Sequence, residues 1–299
     1  MGSEKGVCAF CGLNALLRES HVLPAFVFRW LRERSGTGHI RKSDEVNRRV
    51  QDGLKLPWLC DACEGRFGRY ESAFATQVFH PWHGGNNNIA YGDLLLKFCV
   101  SVSWRVLKYC RGRFKEAPYT IEQLALMDQA ELRWRAFLND EVPHPGEFEQ
   151  QLLIVDLIES TTIKDLPNNM NRFMTGPVTL DIVGSNRSVM TFAKLGRFMI
   201  FGLIQKGPNR WEGTKVHVRE GQLKPGKFTI PAGLIDLFKK KANLVSEAFE
   251  AMSPDQQNKV QKHIAENLDS FAASDQFVSI AADARMFGRA AVIRKDSEE

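Results

Sequence analysis

Apolar positions fall at helical spacing after Cys60, where Phe67, Tyr70, Phe74 and Val78 mark one face of a helix through DACEGRFGRYESAFATQVF. The segment PWHGGNNN (residues 81–88), with its proline, glycines and asparagines, ends that helix. Asp93 to Arg111 is apolar nearly all round, which predicts a buried helix. Thr120 to Asn139 opens with Thr-x-x-Gln, a capping-box pattern, and places Leu124, Met127, Leu132 and Phe137 on one side. The proline-rich EVPHPGE (residues 141–147) is the expected domain boundary.

Beyond it the period shortens. QLLIVDLIES, GPVTLDIVG, SVMTFAKLGRFMIFGLIQ, TKVHVRE and GKFTIP read as strands, rich in β-branched and aromatic residues and separated by short turns. Two helices follow, Pro231 to Met252 and one opened by Ser253-Pro254-Asp255-Gln256. The tail from Ser279 is expected to return as a last strand. The pattern predicts an α+β protein in three parts. Residues 1–85 form a cysteine-bearing domain, 86–144 a helical segment, and 145–299 a separate α+β domain with a mainly antiparallel sheet that regulates or binds a partner. Residues 36–53 are polar and read as a loop or irregular hairpin.

Composition narrows the classes. With 43% apolar and 25% charged residues, the chain has the make-up of a folded globular protein. The most apolar stretch, Gly92 to Tyr109, carries Asp93, Lys97, Arg105 and Lys108, so no membrane span is expected. The N-terminus lacks the apolar core of a signal peptide. Six cysteines in 299 residues are too few for a disulfide scaffold, which makes a cytoplasmic, reducing setting the default. Residues 1–115 hold 18 Lys and Arg against 10 Asp and Glu, while the remainder holds 22 against 25. A basic N-terminal third suits a binder of phosphate backbones, and equally a plain solvated surface.

The sharpest chemical signal is Cys8-Ala-Phe-Cys11 together with Cys60-Asp-Ala-Cys63. Each pair has the spacing that wraps a turn around one ion, and two pairs complete a tetrahedral four-thiolate zinc site. Cys99 and Cys110 lie in the apolar helix and read as packing residues. Four thiolates would close the coordination sphere, which argues against a zinc hydrolase.

Between the pairs lie 48 residues, which include Glu19-Ser20-His21-Val22-Leu23-Pro24 and, just before the second pair, Leu54 to Leu59. This arrangement resembles the HNH endonucleases, specifically their zinc-stapled ββα-metal branch, over about residues 6–80. The resemblance implies a metal-dependent nuclease acting on nucleic acid, DNA ahead of RNA, with structural Zn²⁺ and a catalytic divalent cation (Mg²⁺ or Mn²⁺). It makes His21 the general base and Glu64 and Glu71, two helical turns apart, the cation ligands, with His80 and His83 as further candidates. Lys55, Arg66 and Arg69 would contact phosphates. Ser20 stands where the family carries an acidic residue, and Lys55 where it carries an asparagine. A nuclease with a large second domain suggests, by analogy, a defence or toxin-like effector such as antiphage systems use. The alternative is a non-catalytic zinc-stapled module that binds nucleic acid or protein. A nuclease would turn the His21 imidazole toward carboxylates across a basic, open cleft, and a binding module would bury it.

Overall fold

In the computed structural model, which describes residues 4–113, 118–208, 210–288 and 291, the N-terminal strands wrap the cysteine pairs. Strand β1 (Glu4–Val7) turns back into β2 (Asn14–His21), and helix α1 (Ala25–Arg34) follows. Two two-residue strands, β3 (Ile40–Arg41) and β4 (Arg49–Val50), make the irregular hairpin that the polar loop predicted. Strand β5 (Lys55–Cys60) completes an antiparallel sheet in the order β1-β2-β5 and runs straight into α2 (Asp61–Phe74). The rod runs on through a π-helical turn (Ala75–Phe79) into α3 (His80–His83) and ends inside the expected break at residues 81–88, with Gly84 as its cap.

After β6 (Ile89–Tyr91) comes the long helix α4 (Asp93–Arg111), then α5 (Ile121–Leu138). In α4 every residue from Leu95 to Leu107 is buried, as its all-round apolar pattern predicts. The capping box at Thr120 is formed in full. Met127 and Phe137 of the predicted α5 face are buried, together with Ala130 and Trp134, but Leu132 is exposed.

The second sheet is antiparallel in the order β7-β10-β9-β8. It is built from β7 (Gln150–Ile154), then, after helix α6 (Met170–Thr175), from β8 (Val178–Ser185), β9 (Ser188–Leu195) and β10 (Phe198–Gln205). One face carries Leu152, Val189, Ala193, Phe198 and Ile200 into a core shared with α4, α5 and the N-terminal strands. The other carries Leu153, Phe192, Met199 and Phe201 against α6 and α7 (Gly233–Glu250), the alternation expected of a sheet covered on both sides. The first cluster runs from Cys8 to Val216 and is not interrupted at residues 141–147, since Leu138 and Phe148 both belong to it.

Two expectations fail. TKVHVRE and GKFTIP do not form strands. Only the isolated bridges Gln151↔Lys215 and Glu212↔Thr229 appear, along with a short β11 (Gly221–Leu223) paired to β6. Gly213, Pro225 and Gly226 break the segment into pieces too short for a longer ladder. The tail is not a strand over Ser279–Phe287. After α8 (Pro254–Glu266) and α9 (Leu268–Ala272), it forms α10 (Asp275–Phe287), capped by the Ser274 hydroxyl. The rest of the predicted last strand lies almost wholly outside the described residues. No helix among the described residues is long and apolar enough to cross a membrane.

The tightest joint between α4 and the sheet is at Gly202, where an added Cβ would come within 2.6 Å of the hydroxyl oxygens of Ser103 and Thr191. Gly202→Ala should therefore destabilise the chain by about 1–3 kcal/mol, read as a lower urea midpoint, because the buried hydroxyls have no room to yield. An unchanged midpoint would contradict this packing.

Candidate metal centre and the histidine beside it

The knuckle between β1 and β2 is held by two backbone bonds, Gly12 N–H to the Cys8 carbonyl and Cys8 N–H to the Leu13 carbonyl, both 2.9 Å. Gly12 has φ +77°, which glycine adopts without strain. Between the two cysteines, Phe10 is fully buried, edge-on to Phe67 of α2 at 5.0 Å and to Trp104 of α4 at 5.1 Å. The knuckle is thus pinned by an aromatic anchor as well as by its turn. Register places Leu17 of β2 opposite Cys60, so the second cysteine pair arrives beside the first where β5 becomes α2.

The four sulfurs of Cys8, Cys11, Cys60 and Cys63 lie within 4.8 Å of one another. Cys11 Sγ and Cys60 Sγ are 3.8 Å apart, close to the edge length of a tetrahedron with Zn–S bonds of about 2.3 Å. Burial pushes the Cys8 thiol up, but the N–H groups of Cys11, Cys60 and Phe10 outweigh it and bring it down to about 7. Burial and the neighbouring sulfurs push Cys63 well up. Sulfurs this close resist sharing negative charge until a cation joins them, so the donor set fits a structural metal such as zinc.

His21 ends β2 at the far end of the strand pair, opposite Lys55. Its imidazole is 16% exposed, and Nε2 lies 2.9 Å from Oδ1 of Asp52. The contact is short, but Nε2 makes no aligned hydrogen bond. Asp52 also accepts from the Gly53 N–H at 2.8 Å and pairs through Oδ2 with Lys55 at 2.7 Å. Burial alone would raise the Asp52 carboxyl; Lys55, the Gly53 N–H and His21 together hold it below the usual aspartate range. The imidazole is thus neither fully open nor sealed, and it faces one carboxylate.

Asp52 was not among the sequence candidates. Its only signal was the Asp-Gly turn before the second strand; strand register, not spacing, brings it to His21.

The other candidates do not gather around His21 as ligands. Oε1 of Glu71 accepts from Arg105 Nη1 at 2.6 Å, and the same Nη1 donates to the His21 carbonyl at 3.1 Å. Arg105, 3% exposed, therefore ties α4 to α2 and to the end of β2. Glu64 is half-buried and makes no polar contact among the described residues. Arg66 donates to the Asn139 side chain, Lys55 is held by Asp52, and Arg69 is exposed without a polar partner among the described residues. His80 is exposed, edge-on to Phe79. His83 Nδ1 donates to the Phe79 carbonyl at 2.8 Å, with its ring against Trp30 and Phe79. Among the described residues, the four thiols are the one group of three or more potential ligands that comes together.

Two outcomes follow from this geometry. The purified chain should carry close to one zinc, and Cys60→Ala should lose it and lower the urea midpoint. Equal metal content and midpoint in the variant would overturn the four-thiol assignment. Burial brings His83 down to about 4, so between an unfolded value near 6.5 and that folded value the unfolded chain binds the extra proton. Stability is full above about pH 6.5 and should fall by a few kcal/mol on titration toward pH 4, a loss that His83→Phe should reduce. A pH profile identical in His83→Phe would show that His83 does not carry it.

No protein-family model matches this chain, and no curated protein or solved structure matches it significantly.

Proposed function

We propose that the chain is an HNH-type nuclease that hydrolyses phosphodiester bonds of nucleic acid, with His21 as general base and a zinc ion held by Cys8, Cys11, Cys60 and Cys63 as its structural staple. The observation that carries this is the position of His21 relative to the staple. The sulfurs fix one end of the β2–β5 pair and the start of α2, and His21 stands at the other end with Nε2 against Asp52. With a carboxylate beside Nε2, the tautomer protonated there is favoured, and Nδ1 is left to accept a proton from water as it attacks phosphorus. Asp52 orients the ring and steadies the imidazolium that forms. Lys55, on the same carboxylate, keeps Asp52 ionised.

The resemblance also brings a catalytic Mg²⁺ or Mn²⁺, and the residues present do not preform its site: Glu71 is taken up by Arg105, and Glu64, His80 and His83 stand apart from His21. Magnesium sites commonly draw on one or two carboxylates together with substrate phosphates, so such an ion would arrive with the nucleic acid. No step of the proposed mechanism is routed through it.

The Glu71–Arg105 pair favours a second reading, a non-catalytic zinc-stapled module that binds nucleic acid or protein, since it turns a candidate ligand into a structural clamp.

Purified chain incubated with plasmid, linear duplex and RNA, with and without added Mg²⁺ or Mn²⁺, separates the two. Cleavage should require the added ion. His21→Ala should lower it by roughly 10²–10⁴ with zinc content and nucleic-acid binding kept, and Asp52→Asn should lower it less. Full activity in His21→Ala would remove the mechanism, and no cleavage by wild type on any substrate would leave the binding module.

A further inference from the structure

The hairpin β3–β4 and helix α8 come from opposite ends of the chain and meet over the segment that leads to Asp52. Ser253 N–H, at the cap of α8, donates to Asn47 Oδ1 at 2.8 Å, and Arg41 Nη2 donates to Gln256 Oε1 at 3.2 Å. The joint gathers cations. His39 is half-buried, and burial first, then Arg49, His263 and Arg41, hold its imidazole below the usual histidine range. Arg49 Nη1 lies 3.2 Å from His39 Nε2, and His39 Nδ1 is buried without a partner.

Most of the acids nearby are already engaged, while Asp44, exposed on the hairpin loop itself, makes no ion pair among the described residues. Glu45 pairs with Arg48, Asp255 with Lys259, Glu266 with Lys262, and Asp52 with His21 and Lys55. Arg41, Lys42 and Arg49 make no ion pair among the described residues, and Lys42 and Arg49 are exposed. Arg41, Lys42, Arg48 and Arg49 outnumber Asp44 and Glu45 on the hairpin, and an excess of like charge held together attracts an anion.

We propose that the β3–β4 hairpin and the facing edge of α8 form a docking surface for the phosphate backbone of nucleic acid, contacted through Lys42, Arg49, His39 and His263. Charge complementarity selects the occupant, and Lys42 and Arg49 along the hairpin, with the imidazoles of His39 and His263 across the joint, favour a polyanion that spans them over a single small anion. The choice of nucleic acid rests on the nuclease reading; the cation cluster does not. Only Val50 and Gln51 lie between Arg49 and Asp52, three residue steps or at most about 11 Å of extended chain, so a strand held on the hairpin passes close to His21. Of the three basic residues singled out from sequence, Lys55 and Arg66 are already engaged by Asp52 and Asn139, while Arg69 is exposed without a partner among the described residues; the hairpin adds Lys42 and Arg49, which make no ion pair among them.

The test is fluorescence anisotropy of the full chain with labelled duplex DNA and single-stranded RNA, without added divalent cation and across a salt series. The double substitution Lys42→Ala and Arg49→Ala should weaken binding about tenfold or more at low salt. It should also flatten the plot of log affinity against log salt by about one to two, since each lost phosphate contact removes about 0.7–0.9 from the slope. Arg49→Lys should retain most of the binding, and Lys240→Ala, on the exposed side of α7, should change nothing. Unchanged affinity and slope in the double variant, displacement of the probe by inorganic phosphate or polyglutamate at equal charge concentration, or no binding by wild type would each overturn the proposal. Binding that depends on Arg49 in a chain that never cleaves would uphold this surface while refuting the nuclease reading.

Discussion

Everything in the N-terminal third depends on four sulfurs being drawn to one point from cysteine pairs that lie 48 residues apart in sequence. The β1–β2 knuckle and the β5–α2 junction contribute two each, so closing the cluster fixes the ends of two strands and the first turn of a helix together. Where such a staple binds its metal, metal binding and folding become one equilibrium. Phe10 shows how the staple is keyed into the rest: the residue between the first two cysteines is driven between Phe67 and Trp104, so the knuckle cannot shift without opening the core.

From that fixed point the structure is carried outward by α4. Its buried face meets α2 through the stacked rings of Phe74 and Phe98, 3.9 Å apart, and meets the four-stranded sheet at Gly202. The α4 side chain of Arg105 reaches both α2 and the end of β2 at His21. Burying a guanidinium is costly unless its partners are well placed. Here Glu71 and the His21 carbonyl accept from Nη1 and the Ser101 carbonyl from Nε, with the ring of Phe67 beneath, while Nη2 is buried without a hydrogen-bond partner. Removing either partner would strand a charge in the core, so this clamp links the position of His21 to the packing of the whole α4 layer.

Much of this was legible in the sequence, for identifiable reasons. Metal-ligand spacing is a short-range signal, so the four cysteines could be read directly. The buried helix showed in the unbroken apolar run around Cys99, and the α5 start showed in Thr120 and Gln123, whose reciprocal bonds are local. What escaped notice depends on non-local contact. Asp52 looks like one more polar loop residue until β2 and β5 pair. Glu71 looks like a free carboxylate until Arg105, 34 residues on, is found inside an apolar helix. Leu132 fits the periodic stripe of α5 yet faces solvent, because the helix turns Ala130 and Trp134 to the core instead. In the tail, the Ser274 cap outweighed the strand-like composition beyond it.

The central claim is that four sulfurs alone hold the metal and that His21 is left outside its coordination sphere, free for chemistry. X-ray absorption at the zinc edge of the purified full chain tests it most directly. The account predicts a single shell of four sulfurs at about 2.3 Å, unchanged in His21→Ala. Imidazole or oxygen scattering in that shell, or a spectrum altered by His21→Ala, would contradict it.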